Sequence, residues 1–147
     1  EAAMPAGIGV HPYFPCTNKT IYRGLHRGEW RVDAECLPLG LRMAPEPIDW
    51  WDGQPVATRA VDTVYTDRNG PLSIHWPERG VALTISPSAP LRFTVVFTPT
   101  EQEFFCVEPV SHMTDAVNRR GEDSGVVWLM RGEVLRAEIL YHAHAAS

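Results

Sequence analysis

The chain has 147 residues, enough for one domain with a core. Thirteen basic side chains against eighteen acidic ones leave a net charge of −5, which excludes the basic footprint of a nucleic-acid binder. No apolar run approaches the ~18 residues of a membrane span, so neither nucleic acid nor membrane is an expected partner. In chain order, strands are predicted over 21–25 and 30–37, followed by an irregular segment over 42–55. That segment is either a surface loop or, given Trp50 and Trp51, a rim beside a binding cleft. Strands follow over 57–65 and 72–76, joined by Asp67-Arg68-Asn69-Gly70, read as a hairpin turn because Asn-Gly supplies positive φ angles. Further strands are predicted over 81–86, 91–98, 104–108 (stopped by Pro109) and 134–141.

Thirteen prolines and eleven glycines leave almost no unbroken stretch above about ten residues, which excludes long helices. The expectation is an all-β sandwich of about eight to eleven strands, with less than roughly a tenth of the chain in helix. There is no signal-peptide pattern, and Glu1-Ala2-Ala3 reads as a cut point or a processed end. Cys16, Cys36 and Cys106 are odd in number and include no CxxC. Free thiols in a reducing cytoplasm are therefore expected, and a thiolate zinc site is not. His142 and His144 share a strand face, but no carboxylate pattern completes a metal site around them. Arg119-Arg120, the one adjacent basic pair, reads as a solvated loop.

Four segments carry candidate chemistry. In Gly7-Ile8-Gly9-Val10-His11-Pro12-Tyr13-Phe14-Pro15, Pro12 forces His11 into an extended conformation. His11 and Tyr13 then share a face while Pro12 and Phe14 point the other way. An imidazole beside an aromatic ring suits a ligand with a polar and an apolar side, such as a pyranose. In Phe104-Phe105-Cys106-Val107-Glu108-Pro109, alternation puts Glu108 on the face of Cys106 and Phe104. A carboxylate at the end of an apolar strand is partly desolvated, which moves its pKa toward the range of a general base. Asp115-Ala116-Val117-Asn118 is a polar pair in a loop, and by itself reads as a turn or cap. Asp62, in Ala60-Val61-Asp62-Thr63-Val64-Tyr65, is disfavoured within a strand. It either sits at a bulge, bonds nearby backbone, or accepts from ligand hydroxyls.

The order HPYF, VDTVY, CVEP, TDAVN, with the closing Leu129-Met130-Arg131-Gly132-Glu133-Val134-Leu135, resembles the second half of the aldose 1-epimerases, the galactose mutarotase-like family. The resemblance covers nearly the whole chain and implies that residues 1–147 are the C-terminal portion of one mutarotase-like β-sandwich. It further implies interconversion of the α and β anomers of a hexose or related aldose, with His11 as general acid and Glu108 as general base. By the same resemblance Asp62 and Tyr13 contact the sugar, Asp115 and Asn118 belong to the loop that buttresses the base, and neither a metal nor a cofactor takes part. Two departures stand out. Val110 occupies the position, two residues after the base, where galactose-type enzymes often carry Gln. Arg131 replaces the usual Pro before Gly132-Glu133. Members of the family have roughly twice this length, so the isolated chain is expected to show little activity and either to aggregate or to pair with the missing N-terminal half or with another copy. The alternative function is a non-catalytic sugar-binding or sensing domain on the same scaffold. A pure binder has no need of an acid–base pair, and the presence of both His11 and Glu108 favours the enzyme.

Overall fold

Period-two alternation with β-branched and aromatic residues produces strands throughout. The computed structural model describes residues 2–119 and 123–146. In chain order the strands are β1 (Met4–Ala6), β2 (Tyr13–Pro15), β3 (Ile21–Arg23), β4 (His26–Val32), β5 (Pro38–Ile48), β6 (Gln54–Pro55), β7 (Asp62–Arg68), β8 (Leu72–Trp76), β9 (Val81–Pro87), β10 (Phe93–Phe97), β11 (Phe104–Val110), β12 (Val127–Leu129) and β13 (Ile139–Ala145). Helix among the described residues is confined to 3-10 turns at Val56–Thr58, Pro77–Arg79 and Ala116–Asn118. No helix of the described residues is long and apolar enough to cross a membrane.

All ladders are antiparallel. One sheet has the order β2-β11-β10-β7-β4-β5, the second has the order β13-β9-β8-β3-β6, and β1 pairs with β12 in a small ribbon. Face-to-face packing of the two sheets buries the main core. Phe14, Tyr65, Val96, Phe105 and Val107 come from the first sheet, and Tyr22, Leu72, Ile74, Trp76 and Ile85 from the second. The far face of the six-stranded sheet carries a smaller cluster, in which Trp30, Val64 and Phe93 lie under Met113 and Ala116.

The expected all-β class holds, and thirteen strands among the described residues replace the expected eight to eleven. The additions include the short pieces β1, β2, β6 and β12. Residues 42–48, expected to be irregular, belong to β5 despite Pro45 and Pro47. β5 is a sheet edge, where proline's missing N–H costs no ladder bond. Pro109 likewise fails to stop β11, because its carbonyl still accepts from the Val10 N–H at 3.3 Å. The turn at 67–70 exists, with Asp67 and Gly70 at positive φ, but it makes no hairpin. β7 and β8 lie in different sheets, so the turn is a crossing between layers. The strands expected over 30–37, 57–65 and 134–141 are displaced to His26–Val32, Asp62–Arg68 and Ile139–Ala145. Trp50, offered with Trp51 as a possible rim aromatic, is a core residue, as is Trp76. Trp50 is 1% exposed and its indole N–H meets the Tyr65 hydroxyl at 3.3 Å; Trp51 remains exposed. Arg119 pairs with Asp115 at 3.9 Å and donates to the Pro38 carbonyl, whereas Arg120 lies outside the described residues.

Candidate active site

The candidate site lies on the outer face of the six-stranded sheet, and the strand registers build it. β2 pairs with β11 as Pro15 to Phe104, Phe14 to Phe105 and Tyr13 to Cys106. The isolated bridge from Gly9 to Val110 continues the same register, so His11 falls directly opposite Glu108. Residues opposite one another in an antiparallel pair project from the same face. The result is an ion-pair geometry, with His11 Nε2 3.3 Å from Glu108 Oε1.

Small residues make that approach attainable. A Cβ on Gly9 would stand 2.5 Å from Val110 Cγ1, and one on Gly7 would stand 1.8 Å from His112 Cδ2. The 8–10 stretch is tied down by Ile8 N–H to Ser111 Oγ at 2.9 Å, Ser111 N–H to Ile8 O at 2.8 Å, and Val10 N–H to Pro109 O. Pro12 and Phe14 alternate with His11 and Tyr13 as expected, and Phe14 enters the core. The His11 and Tyr13 rings stack, with centroids 4.9 Å apart and planes 8° from parallel. Tyr13, 63% exposed, continues against Phe104 at 5.1 Å, and Phe104 against Phe97 at 6.4 Å. The site therefore has an aromatic wall beside its two titratable groups.

The next row of the sheet runs Tyr13, Cys106, Phe97, Asp62 across β2, β11, β10 and β7. Asp62 is the first residue of β7, where a poor strand former is tolerated. It shares the face with Glu108 and acts on it through space. Burial, together with the negative charge of Asp62, lifts the Glu108 carboxyl above the ordinary carboxylate range, while the adjacent His11 pulls the other way. The side chain of Glu108 is 10% exposed and that of His11 is 54% exposed. Cys106 is fully buried, and its thiol is pushed up to about 11 by burial and by the charges of Glu108 and Asp62. Asp62 also raises the Cys36 thiol, bringing the β4–β5 turn to this end of the site.

Of the residues singled out in the sequence, His11, Tyr13 and Glu108 form one group, and Asp62 faces it from two strands away. Asp115 and Asn118 hydrogen-bond to each other around the 3-10 turn, and no hydrogen bond among the described residues joins either of them to Glu108. The turn does pack over the same face through Ala116. Sequence reasoning did not assign roles to Cys36, Cys106, Phe97 and Phe104. Cys106 and Phe104 carried the signal of alternation with Glu108, but Cys36 and Phe97 reach the site only through strand pairing. All three cysteines are free thiols. The rings of His142 and His144 on β13 lie 5.4 Å apart, tilted by 42°, and His11, Cys106 and Glu108 are the one set of three potential metal ligands among the described residues.

Comparison with known proteins places this arrangement. The family described as aldose 1-epimerase matches residues 1–142. The uncharacterised protein YphB of Escherichia coli K12 is 30% identical over 92% of this chain and 49% of its own length. A solved structure of a candidate aldose 1-epimerase from Escherichia coli K12 superposes with TM-score 0.85 at 25% identity, covering 98% of this chain and 52% of that one. A galactose mutarotase-like protein from Clostridium acetobutylicum has the same fold, with TM-score 0.80 at 15% identity over 98% of this chain and 49% of that one. The chain thus spans about half the length of the curated relative it matches.

Proposed function

From the premise that this chain belongs to the aldose 1-epimerase family, we propose that it carries the acid–base half of a mutarotase site acting on a hexose or a related aldose. Glu108 takes the proton of the anomeric hydroxyl, and His11 delivers a proton to the ring oxygen. The C1–ring-oxygen bond breaks, the carbonyl carbon turns about its bond to C2, and closure on the other face returns both protons. The reaction needs one base and one acid, which the chain supplies from β11 and from the segment leading into β2. The observation that carries this reading is the 3.3 Å approach of His11 Nε2 to Glu108 Oε1 on an accessible sheet face.

Supporting features serve the same chemistry. The raised pKa of Glu108 makes it a stronger base than a solvated carboxylate. The ring of Tyr13, exposed beside His11, offers an apolar surface to one side of a sugar ring, and the exposed carboxylate of Asp62 offers an acceptor for its hydroxyls. Asp115 and Asn118 hold the loop that closes over this face rather than touching Glu108 themselves.

The test is Glu108→Gln in the full-length protein, with mutarotation of freshly dissolved α-glucose or α-galactose followed by polarimetry. The amide keeps the shape and removes the basicity, so kcat falls by at least ~100-fold while sugar binding persists. A near-parental rate in Glu108→Gln refutes the assignment.

A further inference from the structure

The register that sets His11 opposite Glu108 also sets Cys106 beneath them, two residues along β11 on the same face. One ligand atom from each of these three side chains lies within 4.8 Å of the other two. In a tetrahedral zinc site, bond lengths of ~2.0–2.3 Å place neighbouring ligand atoms roughly 3.3–3.8 Å apart. The His11 Nε2 to Glu108 Oε1 separation of 3.3 Å already meets that spacing, so the thiol need close by only about 1 Å to complete it. We propose that His11, Cys106 and Glu108 bind one thiophilic divalent cation of the zinc class, and that the bound ion takes the acid–base pair out of use.

The donor set selects the ion. An imidazole nitrogen and a thiolate sulfur suit zinc and its neighbours, whereas calcium and magnesium require oxygen donors throughout. The charge balance is favourable. On binding, the Cys106 proton leaves to solvent, and a thiolate and a carboxylate then neutralise the two charges of the ion, with Asp62 adding negative potential from two strands away. Three protein ligands leave the fourth position facing the side on which His11 is exposed, open to water. The His11 ring is held for the task by its stacking on Tyr13. The ion consumes the lone pair of His11 and one carboxylate oxygen of Glu108. Binding and proton transfer to a sugar are therefore mutually exclusive. That last step rests on the function proposed above; the binding itself does not.

The experiment uses the full chain, freed of metal by a chelator and titrated with Zn2+ against a chromophoric competitor, then loaded with Co2+. The expected result is one equivalent bound and a thiolate-to-cobalt charge-transfer band in the near ultraviolet. Cys106→Ser removes the band and weakens Zn2+ binding by at least ~10-fold, the scale on which even outer contacts of a metal site matter. His11→Asn changes an exposed side chain and weakens binding comparably, so the proposal stays testable if Cys106→Ser folds poorly. Cys16→Ser keeps both the band and the stoichiometry. Absence of stoichiometric binding, or a band that survives Cys106→Ser, overturns the site. In mutarotase-active protein, one equivalent of Zn2+ abolishes turnover and a chelator restores it; full activity in the zinc-loaded protein overturns the shared use of His11 and Glu108. Zinc binding in a protein without mutarotase activity upholds the metal site and counts against the function proposed above.

Discussion

Gly9→Ala tests whether the close chain approach positions His11, the proposed acid. The φ of Gly9 lies outside the left-handed region, so alanine is conformationally allowed and the substitution probes sterics alone. The new Cβ would stand 2.5 Å from Val110 Cγ1, against the ~3.5–4.0 Å at which carbon atoms pack. Segment 8–11 must therefore move away from β11 by about 1 Å. His11 sits two residues further along the same register, so its 3.3 Å approach to Glu108 opens by a similar amount. A misplacement of ~1 Å at reacting groups costs on the order of 100-fold in rate. The assay is polarimetric mutarotation, with circular dichroism confirming that the sheet persists. Adding Val110→Ala removes Cγ1 and leaves Val110 Cβ at 3.1 Å as the nearest contact. The double variant should thus recover most of the lost rate, to within ~10-fold of the parent. A parental rate in Gly9→Ala, or a double variant no better than the single one, refutes the argument that this close approach places His11.

Two further predictions concern charge. His26 is fully buried with its ring 5.3 Å from that of Tyr65, and burial, with the nearby Arg68 charge, lowers its pKa to about 3. A folded-state pKa below the unfolded ~6.5 means the unfolded chain binds the extra proton, so stability is lost as pH falls from about 6.5 toward 3, by up to ~5 kcal/mol. Urea unfolding across that range should show the loss, and His26→Gln should flatten it; an equally steep loss in His26→Gln contradicts the assignment. Asp62→Asn removes a charge that raises the Glu108 pKa. The acid limb of the kcat/KM profile should therefore move to lower pH, and less so in high salt. An unmoved limb, or one moved upward, counts against Asp62 acting on Glu108.

How much was legible in the sequence follows from the range of the interactions. The all-β class was readable because alternation and the density of Pro and Gly are local facts. The stacking of His11 on Tyr13 was readable for the same reason: extended residues two apart share a face. Sheet membership was not. Asp67 to Gly70 looks the same whether it joins partners in one sheet or carries the chain between layers, and only the pairing of β7 with β4 and β10 decides it. Prolines misled twice, at β5 and at Pro109. Their cost depends on whether a partner strand needs the missing N–H, and edge position is a property of the assembled sheet. The segment around Trp50 and Trp51 stays open between loop and rim in the sequence, because two adjacent aromatics leave burial undetermined; in the fold the indole N–H of Trp50 meets the Tyr65 hydroxyl inside the core.

The resting geometry also says which member of the pair must yield to a substrate. His11 and Glu108 contact each other directly at 3.3 Å, and a sugar must place one oxygen against each, with hydrogen bonds of about 2.6–3.2 Å. While the two side chains touch, His11 Nε2 is committed to Glu108 Oε1, so on the proposed mechanism one of them has to withdraw before Nε2 can face the ring oxygen. Glu108 lies mid-sheet, nearly buried, between a core-facing Val107 and the strand pairing of Pro109 with Thr94. His11 is 54% exposed and is held mainly by a ring stack, which can slide at a cost near the ~0.5–1.5 kcal/mol of an aromatic pair. On the proposed mechanism Glu108, the base, is therefore the fixed point of the site and His11, the acid, is the adjustable one. On the same mechanism a sugar would approach from the His11 side, where the rings of Tyr13 and Phe104 line the face.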